Sequence, residues 1–261
     1  MKTKGFLFVI MLLGCLFTSE AAERVKGNGK LTAKKISVAD FNEIKIDGVI
    51  DFNYEQSDDP SSVEVTIDQN LHPYIQIEVK DRVLTIGFKG AKVDHFTKFI
   101  VKTHSKWLRA AKISGNGNFM VNSPLSGDEI DLKATENSLV QLKKTVTVGK
   151  LALKVTGSAN MVVEHLEADK IECDLDGSGS ITLKTGNAKE GEYSIVTNGD
   201  LHAFGLAVPQ LSCKVTGNGQ AEIHPTDNLK ASVIGKGSIR YKGPTAVQQR
   251  IIGKGTIEEV K

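Results

Sequence analysis

Six basic or hydroxyl side chains recur at a spacing that could build a binding surface. The lysines at 112, 133 and 154 and the threonines at 135 and 156 repeat every 21 residues. A row of ammonium groups flanked by hydroxyls could bind an extended acidic glycan through charge-assisted hydrogen bonds. The alternative interpretation is that the lysines protect an exposed β surface from aggregation. The candidate ligand face comprises Lys112, Lys133, Lys154, Thr135, Thr156 and Lys214.

Carboxylates are the residues that polysaccharide cleavage would need. A lyase or hydrolase requires several of them converging on one face. At the positions equivalent to the lysines and threonines, only Asp174 and Asp176 form an acidic pair, and both lie on one strand. A solvated face with Lys154 in reach is the simpler interpretation. The sequence therefore predicts no catalytic residues, and a polysaccharide lyase or hydrolase remains the alternative function.

Metal and cofactor chemistry finds little support in the sequence. The six histidines, at 72, 95, 104, 165, 202 and 224, show neither metal-ligand spacing nor pairing with acidic residues. No paired-cysteine zinc signature is present. The glycine motifs are not followed by helical segments that could bind phosphate at an N-terminus. We predict no metal and no cofactor, and the formal net charge of +2 gives no indication of a nucleic-acid partner.

A glycine-centred turn places the candidate side chains. It reads Ile113-Ser-Gly-Asn-Gly117 in its first regular copy and Val215-Thr-Gly-Asn-Gly219 in a later one. Fixed-period repetition indicates stacked supersecondary units rather than an ordinary globular domain. The third residue of each copy serves as an anchor, and successive anchors are 18–21 residues apart: Gly115, Glu136, Gly157, Gly177, Asn198, Gly217, Gly235 and Gly253.

Around each anchor every second residue is apolar, which is the period of a strand with one buried face. No segment of this region has apolar residues at helical spacing. Each coil therefore holds two or three short strands, stacked in parallel on the next coil at roughly 4.8 Å. The fold class predicted is all-β, a right-handed parallel β-helix, since such crossovers are right-handed in about 98% of cases. Independent hairpins in a β-sandwich would not keep this period.

Four coils carry specific expectations. The Ala134–Ser138 coil lacks both glycines and should have a differently shaped turn. The coil around Asn198 should contain a bulge or a one-residue shift, with Gly199 as an alternative anchor. Cys173 and Cys213 share an inward column with the Ser194 coil between them. Two coils span roughly 9.6 Å, and a disulfide needs Cα atoms within about 7 Å, so we predict two buried free thiols.

Before residue 111 the glycine-centred turn recurs less regularly. We predict one domain over 22–261, with irregular coils and hairpins at 22–110 and regular coils at 111–261. Val25–Gly29 and Ile46–Gly48 read as further turn copies, and Trp107 and Leu108 should close the junction. The turns Asp58–Pro60 and Lys80–Arg82 should connect hairpins. Strands that cap the stack are expected at Val49–Tyr54, Val63–Ile67, Ile75–Val79, Val83–Phe88 and Phe99–Thr103.

The first 21 residues have the composition of an export signal. Basic residues precede an apolar run from Phe6 to Phe17 and a small-residue cleavage site before Ala22. The run is too short to span a bilayer, and no transmembrane segment is predicted elsewhere. Leu-Leu-Gly-Cys15 resembles a bacterial lipobox, which would lipidate Cys15. The apolar run continues past this cysteine, which favours soluble export to the periplasm, the outer-membrane surface or the medium.

Motif order also supports a family resemblance. The export signal is followed by Glu23-Arg-Val-Lys-Gly-Asn-Gly29, then by Phe41-Asn-Glu-Ile-Lys-Ile-Asp-Gly48, and then by the Gly-x-Gly array. Over essentially the whole mature chain this resembles the autotransporter-adhesin head GIN domain family, common in Bacteroidota. The resemblance implies a pectin-lyase-like right-handed β-helix, an envelope or secreted location, and adhesion without recognised catalytic residues. An extracellular glycan or a surface protein is the expected partner.

Overall fold

The computed structural model describes residues 23–260, most of which lie in β-strands. The expectations for the export signal at 1–21 and the lipid anchor at Cys15 lie outside the described residues. Within residues 23–260, no helix is long and apolar enough to cross a membrane. Besides a short 3₁₀ helix at Gln69–Tyr74, the elements are β1 (Glu23–Lys26), β2 (Leu31–Ser37), β3 (Glu43–Asp47), β4 (Asp51–Gln56), β5 (Ser62–Asp68), β6 (Ile75–Lys80), β7 (Val83–Phe88), β8 (Ala91–His95), β9 (Ile100–Ser105), β10 (Ala110–Ser114), β11 (Asn118–Val121), β12 (Leu125–Glu136), β13 (Leu139–Gly157), β14 (Asn160–Gly177), β15 (Ser180–Leu183), β16 (Gly186–Thr197), β17 (Asp200–Gly217), β18 (Gln220–Gly235), β19 (Ser238–Tyr241), β20 (Ala246–Gly253) and β21 (Thr256–Glu259).

Like strands of successive coils lie side by side and parallel. β10 pairs with β12, β12 with β13, and β13 with β14, each in parallel register. The pairing continues through β16, β17, β18 and β20. The coils form a β-solenoid of about eight turns, which confirms the predicted parallel β-helix.

One column of side chains shows how the core is built. Leu153, Cys173, Tyr193 and Cys213 follow one another in register across four strands, and all are buried. Complete burial of an aliphatic or aromatic side chain stabilises by about 1.5–3 kcal/mol. Strand alternation places the intervening residues outside, where the charged side chains lie. The two cysteines are free and buried, as predicted.

Positive φ is a shared property of the anchor position. Gly177 has φ 139° and Gly217 has φ 113°, a region that only glycine enters without strain. Close stacking adds a second constraint, because a Cβ built on Gly177 would lie 2.2 Å from the carbonyl oxygen of Gly157. That oxygen accepts hydrogen bonds from the backbone N–H groups of Ser178 and Gly179, at 2.8 and 3.0 Å.

Two turns differ from what the sequence predicted. Glu136 has φ 62° and pairs with Gly157, so the glycine-free coil keeps the same left-handed anchor as its neighbours. The coil around Asn198 is shifted by one residue, as expected, but its anchor is Thr197, with φ 74°, which pairs with Gly177 and with Gly217, rather than Asn198 or Gly199. The inward residue between the cysteines is consequently Tyr193 rather than Ser194. Three parallel strands in register override the local preference for glycine.

An excursion of the chain covers the N-terminal end of the stack. β9 pairs parallel with β4, and β7 pairs parallel with β3. Beyond them lie the antiparallel strands β5, β2 and β6. The Lys80–Arg82 hairpin between β6 and β7 is confirmed. The Asp58–Pro60 hairpin is wrong, because β9 lies between β4 and β5.

Of the two turn copies predicted before residue 50, one belongs to the stack and the other does not. Gly48 has φ 110° and its strand β3 pairs with β10, so this copy belongs to the stack. The copy at Val25–Gly29 does not, since β1 pairs with β8 in a separate two-stranded sheet. At the junction Leu108 is buried, whereas Trp107 is 47% exposed and does not close it.

Candidate functional site

Four lysines stand in direct register on the outer face of the solenoid. Lys45 on β3 pairs with Lys112 on β10, Lys112 with Lys133 on β12, and Lys133 with Lys154 on β13. Adjacent members are one strand apart, about 4.8 Å. We call these four residues the lysine strip. Sequence reasoning missed Lys45, although its position three residues before Gly48 matches the other copies.

The lysines of the strip form no salt bridges with other described residues. In the part of the chain that the structure describes, none of its ammonium groups lies within 4.0 Å of a carboxylate. Facing like charges are destabilising. Lysines nearby on β13 and β14 behave differently: Lys150 lies 2.9 Å from Glu172, and Lys170 lies 2.8 Å from Glu172 and 3.2 Å from Glu192. The strip is therefore a row of four ammonium groups without salt-bridge partners among the described residues.

Hydroxyl groups run alongside the strip. Thr135 and Thr156 pair in register two residues further along β12 and β13, which places them on the same outer face as the lysines. Ser114 of β10 precedes Thr135 by one coil, as the register of β10 against β12 implies. The Thr135 hydroxyl donates a long hydrogen bond of 3.4 Å to the Ile113 carbonyl. The predicted lysines and threonines at 112–156 thus share one surface.

Lys214 does not belong to this surface. In its column Asp174 and Ser194 intervene, which puts Lys214 three coils from Lys154, roughly 14 Å away. It instead lines a separate groove of about 350 Å³ together with Lys230 and Arg250.

The acidic residues form a larger group than the sequence suggested. Glu172 joins Asp174 and Asp176 on the outer side of β14. Hydrogen bonds from Lys170 and Lys150 hold the pKa of Glu172 below its usual value. A carboxyl group that acts as a general acid at neutral pH needs a raised pKa instead. Lys154 stands beside Asp174 in register, yet the two make no ion pair within 4.0 Å among the described residues.

Two histidines do pair with acidic residues, contrary to expectation. His165 Nε2 lies 2.9 Å from Glu167 Oε1, and His202 Nδ1 lies 2.9 Å from Glu222 Oε2. The first pair is separated by two positions on one strand, and the second joins adjacent coils in register. Within residues 23–260, no cluster of three or more histidine, cysteine, aspartate or glutamate side chains could hold a metal ion.

Comparisons with known proteins agree with the fold. The family model described as "Putative auto-transporter adhesin, head GIN domain" matches residues 40–244. No curated protein matches the chain.

Three solved structures are similar over most of the chain. A protein of Parabacteroides distasonis described as a putative adhesin is 83% identical, with a TM-score of 0.91, and covers 91% of this chain and 100% of its own. Another from Parabacteroides merdae, also described as a putative adhesin, is 67% identical, with a TM-score of 0.91, and covers 92% and 100%. A third, from P. distasonis, is described as a putative lipid-binding protein; it is 30% identical, with a TM-score of 0.87, and covers 92% and 100%.

Proposed function

The chain belongs to the head GIN domain family, and from that premise we propose that it is an exported adhesin that binds acidic glycans through its lysine strip without cleaving them. The observation that carries this proposal is the contrast between lysines of one sheet. Lys150 and Lys170 are neutralised by carboxylates, whereas Lys112, Lys133 and Lys154 are not. Self-repulsion within the strip would be relieved by an anionic ligand.

The regular spacing of the lysines in the strip also suits an extended polymer. The ammonium groups recur at about 4.8 Å, comparable to the advance of one sugar residue in an extended chain. Thr135 and Thr156 add hydroxyls for hydrogen bonding to ring oxygens and carboxylates. The family's adhesin description and the export-type leader support a location on the cell surface or outside the cell.

The test is binding of polygalacturonate to the mature chain, with a neutral glucan as reference. Reversing Lys112, Lys133 and Lys154 to glutamate should weaken binding about tenfold or more, since each exposed ion pair contributes about 0.2–1 kcal/mol. Binding should also fall with added salt, because exposed charges are screened over about 8–10 Å. The matched control reverses Lys89, Lys98 and Lys144, three exposed lysines elsewhere with the same total charge change.

Equal losses in the two triple variants would overturn the strip as the binding surface. The same incubations should release neither reducing nor unsaturated ends. Chain cleavage would instead support the alternative function, a polysaccharide lyase or hydrolase.

A further inference from the structure

A groove of about 380 Å³ opens where the N-terminal cap meets the regular coils. Trp107 and Arg109 border it on one side, and Ser126–Glu129 of β12 border it on the other. Trp107 is half exposed, while the next residue, Leu108, is buried and fixes the segment to the core. A large aromatic side chain left open to water beside a groove is a typical feature of a ligand site.

Charges around the groove are mostly satisfied. Arg109 forms an ion pair with Glu43, and Glu129 lies 3.4 Å from Lys150. Asp128 is exposed and forms no ion pair within the described part of the chain. The Asn42 backbone carbonyl is occupied by the N–H groups of Arg109 and Ala110, at 2.7 and 3.3 Å. The groove therefore combines an open indole, one free carboxylate and a carboxamide.

This combination matches the chemistry of an uncharged sugar. A pyranose ring has an apolar C–H face that stacks on an indole, while its hydroxyls donate to a carboxylate and exchange hydrogen bonds with a carboxamide. An acidic sugar would be repelled by the free Asp128. We infer that the groove binds a neutral sugar ring, stacked on Trp107 and held by Asp128 and Asn42.

The groove and the lysine strip share a strand. Glu129 and Lys133 both lie on β12, four residues or about 13 Å apart. One glycan of a few sugars can thus place a neutral ring on Trp107 and acidic groups on the strip. The inference deepens the proposed function and rests on it for the glycan class.

Trp107 is the single tryptophan of the chain, so its fluorescence reports on this groove alone. The probes are neutral hexasaccharides: cellohexaose, maltohexaose, mannohexaose and N-acetylchitohexaose. At least one should change the emission and protect the indole from acrylamide quenching. By calorimetry, Trp107→Ala should weaken that binding about tenfold, Trp107→Phe should retain part of it, and Asp128→Asn should weaken it. Asp174→Asn, an exposed aspartate outside the groove, is the matched control and should leave affinity unchanged.

The outcomes separate the two proposals. A response to a neutral hexasaccharide that persists in the lysine-reversal variant supports the groove even if polygalacturonate does not bind. Binding of polygalacturonate with no response of Trp107 to any neutral probe would overturn the groove and leave the strip standing. Retention of full affinity in Trp107→Ala, or a response to apolar peptides but to no sugar, would also overturn it.

Discussion

Tyr193 illustrates how much a single buried side chain matters in this thin core. It lies between Cys173 and Cys213 in one inward column. Its hydroxyl is buried and has no hydrogen-bond partner in the described structure. Burial raises the pKa of the hydroxyl well above its ordinary value and raises that of the Cys213 thiol to about 12. These groups are consequently neutral at physiological pH, and the column behaves as apolar packing.

Removing that hydroxyl should stabilise the protein. An unsatisfied buried polar group costs about 1–3 kcal/mol, so Tyr193→Phe should raise the free energy of unfolding measured in denaturant. Tyr54→Phe is the matched control, because the Tyr54 hydroxyl is bonded to the Ser105 carbonyl at 3.2 Å and to its hydroxyl at 2.9 Å. That variant should lose stability. A loss in both variants would contradict the account of Tyr193.

At the scale of elements, the positive-φ anchor lets the chain turn from one strand of a coil to the next, directly above the equivalent turn of the neighbouring coil. The position has positive φ in the coils of Gly115, Glu136, Gly157, Gly177, Thr197, Gly217, Gly235 and Gly253. Two of these residues are not glycine, which shows that lateral pairing is strong enough to impose strain of order 1–3 kcal/mol. The turn is thus a property of the stack as well as of the local sequence.

Gly177→Val should lower the melting temperature more than Thr182→Val. The first change adds a β-branched side chain at φ 139° and a clash with the Gly157 carbonyl, whereas Thr182 lies on the outer side of β15. Strain of about 1–3 kcal/mol corresponds to a decrease of several degrees, at roughly 2–4 °C per kcal/mol in a domain of this size. Calorimetric scans of both variants test this. Equal melting temperatures would count against the anchor assignment.

At the scale of the whole molecule, a buried carboxylate ties the segment between β1 and β2 to the cap. Asp68 accepts hydrogen bonds from the Gly29 N–H at 2.6 Å, the Thr97 N–H at 2.7 Å and the Thr97 hydroxyl at 2.9 Å. Burial alone would raise the pKa of this carboxyl, but the hydrogen bonds from Thr97 and Gly29 outweigh it, and the pKa lies below its usual value. Asp68 is therefore charged and fully bonded at neutral pH.

A depressed pKa means that this stabilisation is present above the unfolded value, about 3.9, and is lost as pH falls through the folded value. Asp68→Asn should cost about 1.5–3 kcal/mol at pH 7, because the charge is lost and at least one of the three donors would face the amide NH2 group, which cannot accept a hydrogen bond. The difference from the wild type should shrink below about pH 4. Denaturant titrations at pH 7 and pH 3 measure it, with the exposed Asp59→Asn as control. A difference independent of pH would rule out this role.

Much of the architecture was predictable from local pattern. Alternating apolar residues at an 18–21-residue period identify stacked strands, because only an in-register stack repeats both alternation and spacing. The same logic placed the Cys173–Cys213 column and the alignment of Lys112, Lys133 and Lys154. Boundaries of the capping strands also agreed closely, since short β-branched and aromatic runs separated by polar turns are strong local signals.

The remaining features depended on contacts between residues distant in sequence. Pairing with the coils before and after it made Thr197 the anchor, although Asn and Gly stand beside it. The same pairing gave Glu136 a glycine-like φ and put β9 between β4 and β5. Ion pairs across coils decided which lysines are neutralised and left the strip charged. The sequence by itself determined the repeat and the strand faces, because both are local periodicities. The register of the Thr197 coil, the charge pairing and the exposure of Trp107 were decided only by the tertiary structure, because each depends on which strands become neighbours.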